Sequence, residues 1–231
     1  MMIGDSINRK RAGGSKVRLA DKAAESIRRK IIENVFSPWE PLSESHLAKT
    51  LKISRTPVRE ALTLIEQEGL LKIVPGKGAF VVDFNREDFR EINELRAVLE
   101  PLAAETAIYH ISNETIMGQK VIWEKFVNDL RADNEISIIG LTEADHQLHG
   151  LFVEHCENIR LRNFLGLLRY QTMRYIHVVW DTKLFMLETA QQHLEILAAM
   201  EEKNLAKLCD TLKKHINFNI TLYTHGDRKR T

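Results

Sequence analysis

The chain has 231 residues, 44% of them hydrophobic, with 33 Lys and Arg against 32 Asp and Glu. That much apolar side chain can build a core in one large domain or two small ones, which excludes disordered, collagenous and fibrous chains. Two cysteines, Cys156 and Cys209, without a CxxC spacing exclude a disulfide framework and a cysteine zinc site; no apolar run reaches the roughly 18 residues of a membrane span, so a reducing cytoplasm is the expected setting.

The near-zero net charge hides an uneven distribution. Residues 1–84 hold 15 Lys and Arg against 10 Asp and Glu, whereas residues 85–231 hold 18 against 22. Pro38, Pro41, Pro57 and Pro75 also fall in the first part, and only Pro101 in the second. Two domains of different character are expected, divided near Asp83 to Arg86.

Residues 1–18 carry Arg9, Lys10, Arg11, Lys16 and Arg18 around two adjacent glycines and almost no apolar side chain, which reads as a flexible basic arm. From Leu19 the spacing of Ala23, Ile27, Ile31 and Ile32 predicts a helix stopped at Ser37-Pro38. Ser43 is placed to cap a short second helix that buries Leu47, Ala48 and Leu51. Ser54 is placed to cap a third, SRTPVREALTLIEQEG, with Pro57 in its first turn and Gly69 as its stop. In that helix Val58, Ala61, Leu62 and Ile65 share one sector, and Arg55, Arg59 and Thr63 share another. Two short strands, about 71–74 and 79–82, follow around Pro75-Gly76-Lys77-Gly78. Three helices and a hairpin make a winged helix-turn-helix over 19–84, whose third helix would enter the major groove while Lys77 at the hairpin tip reaches phosphate or the minor groove.

The string SRTPVREALTLIEQEGLLKIVPGKGAFVV, preceded by LSESHLAKTLKI, resembles the DNA-binding domain of the GntR family of bacterial transcription regulators. The resemblance implies that Arg55, Thr56, Arg59, Lys77 and Gly78 contact double-stranded operator DNA. Two positions depart from the family's pattern. Trp39 follows Pro38 where glycine is usual, implying a differently packed turn, and Ser45 stands where many members have a DNA-contacting arginine.

From Arg86 onward strand signals vanish. Amphipathic stretches near 86–110, 112–133, 137–157, 158–179, 187–202 and 204–224 predict an all-α bundle over 85–226, with Pro101 kinking the first helix. Asp145 and His149 stand four residues apart beside Leu148 and Phe152; His193 lies among Ala190, Ile196, Leu197 and Met200; His215 is flanked by Leu212 and Phe218. One inward histidine is ordinarily a core group with a satisfied hydrogen bond. Three with an aspartate, on three helices sharing a core, call for a common cation, and imidazole plus carboxylate suits Zn, Ni, Mn or Fe. His146 is placed to support that site from behind. Arg96, among Ile92, Leu99 and Ala103, needs an anion, either Glu100 one turn on or a bound acid.

The helix containing Arg96 and Glu100, then ADHQLH, QHLEILAAM and KKHINF, resembles the FCD ligand-binding domain of the FadR-type GntR subfamily. The resemblance implies a bundle of six to seven helices in which Asp145, His149, His193 and His215 ligate the metal, a small organic acid binds at it with Arg96, and the bundle forms a homodimer. The expected function is a sequence-specific transcriptional regulator, a repressor in the bacterial cytoplasm and on the nucleoid when bound to DNA, with no enzymatic activity and no membrane partner. The alternative is a metal-dependent enzyme using the same four ligands, with Glu143 or His146 as its acid or base.

Overall fold

The computed structural model describes the backbone of residues 5–83, 85–179 and 182–225, and side chains over 19–83, 85–175 and 182–221. The chain divides into two compact units, Met1–Asp83 and Phe84–Thr231.

In the first unit, α1 spans Asp5–Ile32. It therefore begins inside the stretch read as a flexible arm. Residues 1–4 lie outside the described residues. Ala20, Ala23, Ala24, Ile27 and Ile31 form the buried stripe. Arg28 on the same side donates from Nε and Nη2 to Glu68 at 2.7 and 2.6 Å, tying α1 to the residue that ends the helix over 55–67.

β1 (Pro41–Leu42) precedes α2 (Glu44–Leu51), α3 (Arg55–Gln67), β2 (Leu71–Val74) and β3 (Gly78–Val81). The strands form one antiparallel sheet in the order β1-β3-β2. β1 is an addition to the expected hairpin: two residues, one a proline, carry no strand pattern, and Pro41 is tolerated because it lies on an edge. Ser43 caps α2 as expected, accepting from the His46 N–H. Ser54 takes the extended cap conformation at α3 without a side-chain bond. The N–H three residues on that it would accept belongs to Pro57, which has none. Trp39 adopts φ 62°, the left-handed conformation that glycine takes without penalty. Its N–H donates to the Val81 carbonyl at 2.9 Å and its Nε1 to Asp83 at 3.4 Å, so the turn is closed by hydrogen bonds rather than by a glycine.

Every described element of the second unit is a helix: α4 (Arg86–Ala107), α5 (Asn113–Arg131), α6 (Ile138–His155), α7 (Ile159–Val179), α8 (Lys183–Glu201) and α9 (Leu205–His225). α4 starts with a capping box between Asn85 and Asp88 and continues through Pro101 as one helix, so the expected kink does not break it. α8 begins ahead of the expected 187, because Thr182 takes the extended cap conformation. α4 packs on α6, α7 and α9; α5 on α6 and α8; α8 on α9. Trp123, Leu141, Leu148, Phe152, Leu165 and Ile196 fill the core. Among the described residues no helix is long and apolar enough to cross a membrane.

Candidate DNA-reading face and metal centre

The α3 sector opposite Val58, Ala61 and Ile65 is solvent-facing: Arg55, Thr56 and Arg59 are exposed, as are Lys77 and Gly78 on the wing. Arg59, Lys77 and Gly78 line a single groove of about 590 Å³, together with Glu44 and Thr63, so α3 and the hairpin tip share one surface. Gly78 has φ 103°, and nothing lies within 4 Å of where its Cβ would be, which leaves the wing backbone open to close approach. Arg59 is held by Glu44 at the start of α2, Nε to Oε1 at 3.0 Å and Nη2 to Oε2 at 2.9 Å. That forked pair fixes the guanidinium plane while leaving the arginine side chain 69% exposed. Glu44 was not foreseen, because the pairing depends on the angle between α2 and α3.

In the second unit Asp145 and His149 come from α6, His193 from α8 and His215 from α9, and all four are buried. One ligand atom from each lies within 4.8 Å of every other. His149 Nε2 is 3.2 Å from His215 Nε2 and 3.8 Å from Asp145 Oδ1, and His193 Nε2 is 3.1 Å from Asp145 Oδ1. These separations match donors that share one ion at about 2.0–2.2 Å.

The outward nitrogens fix the roles of the inward ones. His149 Nδ1 lies 2.5 Å from Glu100 Oε2, and His215 Nδ1 lies 3.1 Å from Gln192 Oε1. A carboxylate and an amide oxygen only accept, so both Nδ1 atoms carry the proton and both Nε2 lone pairs face the centre. Two lone pairs at that distance repel unless a cation lies between them. His193 Nε2 and Asp145 Oδ1, although close, make no hydrogen bond, and neither does His193 Nδ1. Buried polar atoms without a hydrogen bond are rare, and a common cation would satisfy Asp145 Oδ1 and His193 Nε2 together. Trp123 stacks on His193 with ring centroids 3.9 Å apart, which holds that imidazole in place.

The electrostatics favour the ligating protonation states. Burial lowers His193, and burial with the neighbouring imidazoles takes His215 well below the usual histidine range. Burial would raise Asp145, but His149, His193 and Arg96 outweigh it and hold it well below the usual carboxylate range. Burial would likewise raise Glu100; Arg96 and His149 bring it down to about 2. All four shifts act in one direction on stability. Histidines kept neutral bind fewer protons folded than unfolded, so stability is lost as pH falls through about 6.5. The two carboxylates stabilise above their unfolded values near 4 and lose that contribution as pH falls towards 2. The thermal midpoint of chelator-treated protein is therefore expected to fall between pH 7.5 and 5 and again below 4; a flat profile would contradict this geometry.

Arg96 is 3% exposed and donates from Nε to Glu100 at 2.5 Å and from Nη1 to Asn93 at 3.2 Å. Of its two expected partners, the internal carboxylate holds it here. The His146 ring packs against Tyr170, centroids 5.5 Å apart. The i+1 position turns it about 100° from Asp145. Glu100 supports His149 from behind, a link invisible in sequence because it joins α4 to α6. Glu143, the other acid or base of the enzyme alternative, is exposed and bonded by Gln147, so no general acid or base comes with the ligands from either residue.

Comparison with known proteins agrees with both units. Residues 19–81 match the bacterial regulatory proteins of the gntR family, and residues 91–218 match the FCD domain. The chain is 28% identical over 203 residues to the uncharacterized HTH-type transcriptional regulator YdhC of Bacillus subtilis (strain 168), covering 86% of this chain and 88% of that one. It is 26% identical over 187 residues to the HTH-type transcriptional repressor RspR of Escherichia coli (strain K12), covering 77% of each. Among solved structures, E. coli McbR/YncC superposes with a TM-score of 0.75 at 18% identity, over 90% of this chain and 98% of that one. The matched families and relatives are regulators, which sets aside the metalloenzyme alternative. The chain belongs to the gntR family: it is a DNA-binding transcriptional regulator with a winged helix-turn-helix followed by an FCD domain.

Proposed function

We propose that this regulator is a homodimeric repressor whose affinity for a two-fold symmetric operator is set by a small carboxylate or hydroxy acid bound at a divalent transition metal in the FCD domain. The convergence of Asp145, His149, His193 and His215 within 4.8 Å, with Asp145 Oδ1 and His193 Nε2 lacking any other partner, carries this reading. Three imidazoles and a carboxylate suit Zn, Ni, Mn or Fe and leave an octahedral ion about two open positions. When bound, the ion supplies a Lewis-acidic anchor for an acid. The protein's own part is to hold the ligands and to offer polar groups nearby. Thr189 and Asn219 lie one helical turn from His193 and His215, Gln119 one turn from Trp123, and each has a buried polar atom without a partner. A ligand carrying both hydroxyl and carboxylate groups would satisfy such a mixed set.

On the DNA side, Arg55, Thr56 and Arg59 read the major groove, and Lys77 with Gly78 engages the backbone beside it. The likeness to RspR, which is named a repressor, supports repression. The regulator acts in the bacterial cytoplasm, on the nucleoid when bound. Selection from a randomised duplex library with full-length protein tests the DNA function: a consensus with two-fold symmetry is expected, and enrichment of no sequence would refute it.

The dimer rests on a stripe of α4 that the single chain leaves in water: Leu95, Val98 and Leu102 are 44, 66 and 47% exposed. They recur at three and four residues, one helical face, and α7, which packs on α4, exposes Phe164 and Leu167. Val98→Glu with Leu102→Glu would bury four carboxylates in a two-fold interface. Dimer affinity is expected to fall by about a hundredfold or more, giving monomers in light scattering at micromolar protein. An unchanged dimer would place the interface elsewhere.

A further inference from the structure

Glu100 is the one described carboxylate that touches both a proposed metal ligand and Arg96. It is 2% exposed, and its two oxygens serve different partners. Oε2 lies 2.5 Å from His149 Nδ1 and Oε1 lies 2.5 Å from Arg96 Nε. Arg96 is itself buried and is steadied by Asn93, whose amide donates to the Phe89 carbonyl at 2.8 Å. The result is a buried chain of Asn93, Arg96, Glu100 and His149 that runs along one face of α4 and ends at the metal centre.

A carboxylate accepting from Nδ1–H does two things to an imidazole. It fixes the tautomer with Nε2 bare, and it pushes electron density towards Nε2, making that atom a better ligand. The second effect depends on how much negative charge the carboxylate has to give. Arg96 draws on the same charge from the other oxygen, so the guanidinium and the imidazole compete for Glu100.

We infer that Glu100 is a positioning residue that sets the affinity of His149 for the metal, and that Arg96 restrains it by holding the opposite carboxylate oxygen. This rests on the metal reading above and adds its regulation. Any anion that draws Arg96 away from Glu100 hands the carboxylate to His149 and tightens the ion, and reciprocity requires the ion to tighten that anion equally.

Zinc affinity of the full-length protein, measured by competition with a chromophoric chelator, tests this. Glu100→Gln keeps the shape and loses the charge, and is expected to weaken zinc by about ten- to a hundredfold. Arg96→Gln, a permanent version of the withdrawn guanidinium, is expected to strengthen zinc by roughly three- to tenfold. Damage to the fold would weaken binding in both variants, so the opposite signs separate positioning from mere structure. The double variant separates positioning from the plain field of a lost charge: acting through Glu100, Arg96→Gln changes nothing in the Glu100→Gln background. Equal strengthening in both backgrounds, or wild-type affinity in Glu100→Gln, would overturn the inference. If the unbalanced carboxylate stops Arg96→Gln from folding, Glu100→Gln alone decides, wild-type affinity overturning the inference and the expected loss supporting it. A wild-type chain that binds no zinc would remove the metal reading together with it, whereas one ion per chain with an indifferent Glu100 removes this inference alone.

Discussion

Arg59→Ala is expected to lose sequence-specific DNA binding while the protein stays folded. The side chain projects from the exposed sector of α3, and its bond to Glu44 is a solvent-facing pair of the kind that adds little to stability. Its role lies in what the fork can reach. Arginine binds guanine O6 and N7 together, and one such contact discriminates by roughly ten- to a hundredfold per half-site. In the proposed dimer the loss is counted twice, so the specific complex is expected to weaken by about a hundredfold or more, with little change on random duplex. Lys77→Ala should act differently, weakening specific and random DNA alike and lowering the salt dependence, because a phosphate contact carries no sequence information. Fluorescence anisotropy on matched duplexes reads both. Undiminished specific affinity in Arg59→Ala would mean that α3 is not the reading helix.

The second large effect is expected at the metal centre. His193→Ala with His215→Ala removes two of four donors from two different helices, and elemental analysis should fall from one transition-metal ion per chain to none. Stability should report the same loss. An ion held at a hundred times its Kd stabilises by about 2.7 kcal/mol. For a chain of this size that raises the thermal midpoint by roughly 5–10 °C. The double variant should show no such rise on adding metal. Unchanged stoichiometry would place the ion elsewhere.

What the residues disclosed in advance, and what they hid, follows from the range of the interactions. Helix periodicity, the Gly69 stop and the Ser43 cap are local, and they marked both units and most helices. The four proposed metal ligands were legible because each interrupts an apolar helical face, a signal that survives without knowing the packing. Ser54 shows local reasoning failing on a local detail: its cap bond is missing because Pro57 removes the donor. Trp39 shows the reverse, a backbone position whose left-handed conformation is set by hydrogen bonds to Val81 and Asp83 rather than by its own preference. β1 exists only through its pairing with β3, and two residues carry no pattern. The roles of Glu100 and Glu44 depend on which helices meet and at what angle, so spacing along one helix left Glu100 no partner but Arg96.

The central claim is that the metal centre and the DNA-reading face are coupled by a small acid. It is tested most directly by operator-binding isotherms of the metal-loaded, full-length protein titrated with a panel of small carboxylates and hydroxy acids, alongside His193→Ala/His215→Ala. At least one acid is expected to shift the operator Kd of the wild type by about 5- to 150-fold, the usual range of coupling between two sites, and to leave the double variant unmoved. No shift with any acid would reduce the ion to a structural staple, and an equal shift in both proteins would place the effector away from the metal.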